Sequence, residues 1–317
     1  MNILITGAAG FIGSHVSEHF LAQGHDVVGI DNFDPYYDRS IKEENLSISL
    51  KNTHFHFYEK DIRDNVSMTD IMKKHSTEVV IHLAAKAGVR PSLDAVALYY
   101  DVNINGTISL LEAMKANGIS KMLFASSSSV YGNNEKVPFS ENDNVDYPIS
   151  PYASTKKSGE LLCHTYHHLH GFDITCLRFF TVFGPRQRPD LAIHKFTHLI
   201  EQGKSIPFYG DGSAARDYTY IEDILNGIHC AFNHLSGYNI FNLGESRVIT
   251  LSELVNTLEE VIGKKANLDR QPLQPGDVNI TYADTSRART EIGYQPRFNF
   301  REGIIQFYEW YKIHSSR

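Results

Sequence analysis

Short apolar runs rich in β-branched residues recur through the first 180 residues, at Asn2–Thr6, Asp26–Ile30, His54–Tyr58, Glu78–Leu83, Lys121–Ala125 and Asp173–Leu177. Between most of them the apolar positions change to a helical spacing, as in Phe11–Gln23, Ala95–Asn117 and Tyr152–His170. Strands that are apolar almost throughout are covered on both faces, and strands alternating with helices pair in parallel through right-handed crossovers. The pattern therefore predicts an α/β fold built on a doubly wound parallel sheet. After Arg178 the alternation stops, and Pro185, Pro189, Pro207, Gly210–Gly212, Pro272, Pro275 and Pro296 punctuate loops. One apolar helix (Ile221–Leu235) and one strand (Asn239–Leu243) in this part are suited to return to the sheet. The expected division is a domain over 1–180, with segments near 221–243 returning to it, and a smaller, loop-rich C-terminal lobe over 181–317. The final Ile313–Arg317 reads as a frayed end.

The 317 residues are 42% hydrophobic and 21% charged, and carry a formal net charge of −7 with no basic run. That balance lacks the footprint of a nucleic-acid or anionic-membrane partner. Three cysteines (Cys163, Cys176, Cys230) without CxxC spacing fit a reducing compartment and offer no disulfide framework. No apolar stretch approaches the roughly 20 residues of a membrane helix. The opening MNILITGAAGFIG lacks the basic and apolar regions of a secretory leader. A cytoplasmic location is expected.

Gly7, Gly10 and Gly13 form GxxGxxG directly after a predicted strand and at the start of a predicted helix. In that context the helix N-terminus offers free N–H groups and a positive dipole end to a pyrophosphate. Glycine permits the tight turn and the close backbone approach. Asp31 follows at the end of the second strand, where a carboxylate accepts hydrogen bonds from ribose hydroxyls and repels a 2′-phosphate. No arginine follows it, since the next residues are Asn32 and Phe33. NAD is expected over NADP, against the alternative of a ligand-free glycine turn.

Tyr152 and Lys156 stand four apart at the start of a predicted helix and project from one face. The serine run Ser126–Ser129 ends a strand at the carboxyl edge of the sheet, where open α/β sheets bind ligands. A free tyrosine, with a pKa of about 10, is a poor base near neutral pH. A neighbouring lysine ammonium and an oxidised nicotinamide both favour the phenolate. Ser127 is the candidate to hold the reacting oxygen. A surface Tyr/Lys pair is the ordinary explanation of YxxxK alone; the ordered combination with the glycine turn, Asp31 and the serines is not.

TGAAGFIG (Thr6–Gly13), HLAA (His82–Ala85), SSSSVYG (Ser126–Gly132), SPYASTK (Ser150–Lys156) and RDYTYIEDI (Arg216–Ile224) resemble the extended short-chain dehydrogenase/reductase family over nearly the whole chain. The resemblance implies a Rossmann-type domain with tightly held NAD and a nucleotide-sugar site in the smaller lobe. It places Gly7, Gly10, Phe11, Ile12, Gly13, Asp31 and Asn32 on the cofactor, and Asp61 and Ile62 beside the adenine. Leu83, Ala84, Ala85 and Lys86 line the cofactor channel, and Tyr152 and Lys156 also touch the nicotinamide ribose.

Sugar 4,6-dehydratases of this family resemble Thr-Asp-Glu after the strand, since loss of water needs an extra acid and base; here Ser127, Ser128 and Ser129 stand instead. UDP-glucuronate decarboxylases carry Glu where this chain has Ser129. A 4-epimerase remains the leading expectation: Tyr152 takes the O4 proton, hydrogen leaves and returns at C4 through NAD, and the 4-keto sugar turns in between. DPYYDRSIKEENL (Asp34–Leu46), AKAGVRPSL (Ala85–Leu93), TVFGPRQRPDLAI (Thr181–Ile193) and QPGDV (Gln274–Val278) resemble UDP-glucuronate 4-epimerases in particular. That resemblance implies Ser128 and Thr181 hydroxyls near the sugar carboxylate, with Arg188 as a charged alternative or a gate. Arg216 and Arg90 fall to the diphosphate, Tyr209 to the uracil, and Gln274 and Asp277 also to the substrate. For Arg90, Arg186 and Arg188, plain solvated surface arginines are the alternative.

Two departures stand out: EENL (Glu43–Leu46) has no basic residue before the leucine, and Phe208–Tyr209 lies in a loop that varies across the family. The enzyme alternatives are a 4-epimerase of a neutral or N-acetylated UDP-hexose, and a UDP-glucuronate decarboxylase; a redox-silent NAD sensor is the alternative from another class. The resemblance further implies a homodimer through helices that include Tyr152–His170, and a place in polysaccharide biosynthesis. His164 and His168 have metal-ligand spacing, but no Glu follows the first, and a polar helix face is the expected role. No metal is expected. Ser140–Asp146 reads as a solvated acidic loop.

Overall fold

The computed structural model describes residues 1–272 and 280–314. In chain order the elements are β1 (Asn2–Thr6), α1 (Phe11–Ala22), β2 (Asp26–Asp31), α2 (Arg39–Leu46), β3 (Phe55–Glu59), α3 (Asn65–Lys74), β4 (Val79–His82), α4 (Val89–Asp94), α5 (Val96–Tyr100), α6 (Gly106–Ala116), β5 (Lys121–Ser127), α7 (Pro151–His170) and β6 (Asp173–Phe179). There follow β7 (Thr181–Phe183), α8 (Ala192–Glu201), β8 (Ser205–Tyr209), β9 (Ala215–Tyr220), α9 (Ile221–Asn233), β10 (Tyr238–Leu243), β11 (Val248–Thr250), α10 (Leu251–Ile262), β12 (Asn267–Gln271), α11 (Ser286–Ile292) and α12 (Phe300–His314).

A seven-stranded sheet runs β3-β2-β1-β4-β5-β6-β10. The pairs β1–β2, β1–β4, β2–β3 and β4–β5 are parallel, with Ile5 opposite Gly29 and Ile81. This is the Rossmann-type doubly wound sheet that the apolar runs predict. The order reverses at β1, so the carboxyl ends of β1 and β4 open the crevice where such sheets bind ligands. Leu4, Val28, Ile30, Val80, Met122 and Ile174 of the sheet pack with Met68, Leu110, Leu111 and Met114 into one fully buried core. Burial on both faces is why β1, β2, β4, β5 and β6 are apolar over most of their length, while β3 at the sheet edge is only partly buried.

The single helix expected over Ala95–Asn117 is broken. Between α5 and α6, Asp101–Asn105 form a π-helical turn. Helix α2 was hidden in a polar stretch; Asp38 caps it by accepting from Ser40 N–H, and Lys42, Asn45 and Leu46 are buried. At the C-terminus α12 runs through His314, so Ile313 and His314 are helical rather than frayed.

The chain forms two compact units: Met1–Gly132, Asn144–Arg178 and Ile228–Phe241 make the first, and Asn133–Asp143, Phe179–Gly227 and Asn242–Arg317 the second. The second holds a three-stranded sheet, β11-β9-β7, and a parallel pair, β12–β8. Within the expected solvated loop Ser140–Asp146, Asn142, Asn144 and Asp146 are exposed, but two of the carboxylates are engaged. The Asp143 side chain is only 9% exposed and pairs with Lys136, and Glu141 accepts from Asn242 N–H at 2.7 Å. These half-buried carboxylates accept from the backbone N–H groups of Asn242 and Ser140.

Candidate active site

The glycine turn joins β1 to α1. Gly7 and Ala8 donate to Ile30 O at 2.7 and 3.1 Å, which seats the turn against β2. Gly7 lies at φ +73, and a Cβ on Gly13 would stand 2.0 Å from Gly7 O, so neither position admits a side chain. Gly10 is the N-cap of α1 and has no side chain to occupy the first-turn amides of Phe11 and Ile12. At the end of β2 the Asp31 carboxylate accepts from Ala9 N–H (3.2 Å) and Phe33 N–H (2.8 Å), and Lys42 Nζ lies 3.4 Å away.

Beside it, Asn32 donates to Asp61 at 2.9 Å. Arg63 binds the same carboxylate and holds its pKa at about 2. Ile62 is buried, and a Cβ on Gly106 would come within 2.6 Å of its Cδ1. The backbone from Leu83 to Lys86 is held at both ends. Leu83 and Ala84 N–H donate to Thr6 Oγ1, while Asn103 Oδ1 takes Lys86 N–H (2.8 Å) and Asn103 Nδ2 donates to Lys86 O (3.0 Å). Ala85 sits between these anchors. The Lys86 ammonium pairs with Asp34 at 2.9 Å.

Helix α7 carries the candidate base. Ser150 caps it by accepting from Ala153 N–H, and Pro151 fills the first helical position, where a missing N–H costs nothing. That start places Tyr152 and Lys156 one turn apart, with Lys156 Nζ 6.0 Å from the Tyr152 ring centroid. Lys156 is buried and donates to Ala125 O at 2.8 Å; burial lowers its pKa to about 8. Tyr152 meets Tyr99 edge-on at 6.3 Å. At the end of β5, Ser127 Oγ accepts from Ser129 N–H (3.2 Å) and donates to Ser129 Oγ (3.1 Å), capping the short turn Ser128–Tyr131. Ser128 is half-buried on that turn, and Arg90 on α4 is exposed.

Three features of the first unit escaped sequence reasoning. Asn103, on the π-turn, also donates to Thr155 Oγ1 of α7 at 2.9 Å; the only sequence signal is Asn103–Thr107 interrupting a helical pattern. His82 is fully enclosed between Thr6 Oγ1 (2.8 Å) and Thr107 Oγ1 (3.0 Å), and burial lowers its pKa to about 3, so it stays neutral. Glu160 of α7 receives Arg178 through Nε and Nη2, both at 2.8 Å, and Ser126 Oγ at 2.6 Å, while Arg178 Nη1 donates to Tyr131. This buried cluster ties α7, β6 and the serine-bearing end of β5 together.

In the second unit, Thr181 of β7 pairs with Tyr218 of β9, and Arg216 of β9 pairs with Ile249 of β11, so both lie in the three-stranded sheet. Tyr209 ends β8, opposite Gln271. Arg188 is not a bare cation: its Nε and Nη2 bind Asp190 at 2.9 and 2.8 Å. Beneath Arg216, the buried Asp217 accepts from Glu245, Ser246 and Ala283 N–H. Gln274 and Asp277 lie outside the described residues. On α7, His167 bonds Phe172 O at 2.7 Å and the His164 ring lies edge-on to the Tyr238 ring.

Residues 4–307 match the family model described as GDP-mannose 4,6 dehydratase. The chain belongs to that family. Within it, a UDP-glucuronate 4-epimerase of Thermodesulfobacterium geofontis is 44% identical over 310 residues, covering 98% of this chain and 95% of the relative. Among solved structures, the UDP-glucuronic acid 4-epimerase of Bacillus cereus, crystallised with UDP-glucuronic acid and NAD, is 37% identical with a TM-score of 0.94 over 99% of each chain. The dTDP-glucose 4,6-dehydratase DesIV of Streptomyces venezuelae is 26% identical with a TM-score of 0.93, covering 100% of this chain and 98% of its own. An epimerase and a dehydratase thus share this backbone, so the fold alone does not choose between the two reactions. Among the described residues no helix is long and apolar enough to cross a membrane.

Proposed function

We propose that the protein inverts C4 of UDP-glucuronate, giving UDP-galacturonate, with NAD as its resident cofactor. The observation that carries this is the capped start of α7, which sets Tyr152 one turn from a buried Lys156, in a chain whose strand-end turn offers only hydroxyls at Ser127–Ser129.

The first unit fits a dinucleotide. The turn at Gly7–Gly13 is a cradle that any Cβ would fill, the first-turn amides of α1 face it uncapped, and the Asp31 carboxylate retains capacity for a hydroxyl donor. Gly7, Gly10, Phe11, Ile12 and Gly13 would hold the pyrophosphate, Asp31 and Asn32 the adenosine ribose, Asp61 and Ile62 the adenine, and Leu83–Lys86 the channel. NAD, when bound, accepts the C4 hydrogen with its electron pair and gives it back. Tyr152 takes the O4 proton as C4 is oxidised and returns it as C4 is reduced, so one residue serves both directions. Lys156, largely protonated at neutral pH, favours the Tyr152 phenolate by its charge and holds its own place through Ala125 O. Ser127 steadies the reacting oxygen. The Ser127–Ser129 turn contains no acid to protonate a departing hydroxyl, which separates this chain from the dehydratase reaction.

Ser128 and Thr181 are the proposed donors to the sugar carboxylate, Arg216 and Arg90 to the diphosphate, and Tyr209 to the uracil. Arg188 serves the substrate loop, and Gln274 and Asp277 complete the set. We read the protein as a cytoplasmic homodimer that supplies polysaccharide biosynthesis. The dimer reading is supported by Leu161 and Leu169, exposed on α7, and by Val96 and Tyr100, exposed on the adjoining α5.

Incubation with UDP-glucuronate, UDP-glucose and UDP-N-acetylglucosamine, followed by NMR of the sugar, tests the reaction. UDP-galacturonate is expected from the first alone. Conversion of only the neutral sugars overturns the substrate, and release of CO₂ with a UDP-pentose as main product overturns the reaction. Tyr152→Phe should keep NAD and lose turnover; an undiminished rate removes Tyr152 from the chemistry.

A further inference from the structure

Helix α2 is polar on its surface, yet three of its residues are buried, and two of these reach the cofactor turn. Asn45 Nδ2 donates to Ala9 O at 3.0 Å. Lys42 Nζ lies 3.4 Å from Asp31 Oδ1, and both side chains are only 7% exposed. The Tyr37 ring lies 5.1 Å from the same ammonium. A buried ammonium is costly to desolvate, so its retention beside a buried carboxylate calls for a role. The basic residue that the sequence lacks immediately before Leu46 is supplied one turn earlier, by Lys42.

The pair is neutral overall, which changes how this end of the site reads a ribose. Asp31 already accepts from two backbone N–H groups as well as facing Lys42. Its remaining lone-pair capacity suits a hydroxyl, which donates, and not a 2′-phosphate, which has only acceptors and negative charge at its periphery. Lys42, by contrast, has donors to spare and a full positive charge at the same spot. Were Asp31 uncharged, the same ammonium would face a phosphate with nothing opposing it.

We propose that Lys42 is a cofactor-specificity residue: it orients the Asp31 carboxylate for a ribose hydroxyl, and it becomes the anchor for a 2′-phosphate once that carboxylate is neutralised. The inference rests on the first unit holding NAD. It locates the preference for NAD in a balance between two buried charges rather than in Asp31 alone.

Calorimetric titration of the full-length protein, freed of bound nucleotide, with NAD and with NADP tests it. Asp31→Asn should raise the affinity ratio of NADP to NAD roughly 10- to 100-fold, the worth of a charge-assisted hydrogen bond. Adding Lys42→Met to Asp31→Asn should abolish that gain, whereas adding Lys42→Arg should keep it. Lys42→Gln in the same background provides a second removal that keeps length and polarity, so the result does not depend on one variant's folding. An unchanged gain without the lysine, or no gain in Asp31→Asn, overturns the role of Lys42. Failure of the unsubstituted protein to bind NAD overturns instead the dinucleotide reading beneath it.

Discussion

Lys156, proposed to favour the Tyr152 phenolate, is a poor residue for stability. Its ammonium is enclosed, and burial takes its pKa from 10.5 to about 8. Between these values the unfolded chain binds the proton more tightly than the folded one, so stability rises with pH across that interval. Below about pH 8 the buried charge costs about 3 kcal/mol, offset in part by its bond to Ala125 O. Lys156→Met should therefore lose turnover yet unfold at higher free energy than the parent at pH 7, with the advantage shrinking by pH 9.5. Urea unfolding at the two pH values checks this, and an advantage that grows with pH contradicts it. Residues of this kind were legible in the sequence because their roles are local: Gly13 cannot bear a Cβ, and Tyr152 and Lys156 need only one helical turn. Lys42 was not legible, since a lysine within RSIKEENL looks like any solvated helix face until α2 is laid against the turn.

At the scale of elements, α7 is held at its start by Ser150 and along its length by the buried Arg178–Glu160 pair. Breaking such a pair on one side strands a charge in the interior, at a cost of about 3–5 kcal/mol. Arg178→Met is expected to destabilise by that amount in urea unfolding. Adding Glu160→Gln should recover part of the loss, because it removes the stranded charge while keeping an acceptor for Ser126. Equal stability of the single and double variants would show that the charge is not what matters. The break between α5 and α6 belongs to this scale too. Periodicity carried Ala95–Asn117 as one helix, because a π-turn keeps apolar positions near their helical spacing while re-aiming Asn103 toward Lys86 and Thr155.

For the whole molecule, the net charge of −7 speaks only against polymeric anions. A substrate with two phosphates and a carboxylate must be drawn by a few local cations, Arg216 among those proposed, so salt should weaken its binding modestly. The exposed apolar residues of α5 and α7 give the proposed assembly its test. Replacing Leu161 and Leu169 together by Glu should convert a dimer into a monomer in sedimentation velocity, while the isolated chain stays folded. A parent protein that sediments as a monomer at micromolar concentration removes the dimer reading.

Alternating apolar strands and helices, the glycine spacing, Asp31 and YxxxK were determined by the sequence alone, because each reflects a constraint within one element or one turn. What surrounds them was decided by tertiary structure. The Lys42–Asp31 pair, the Asn103 clamp, the Glu160–Arg178 cluster and the bond from Asn242 N–H to Glu141 join residues of different elements or segments. In each case a polar side chain reads as solvated in sequence, and only the packing of other elements around it removes the water and makes a partner obligatory.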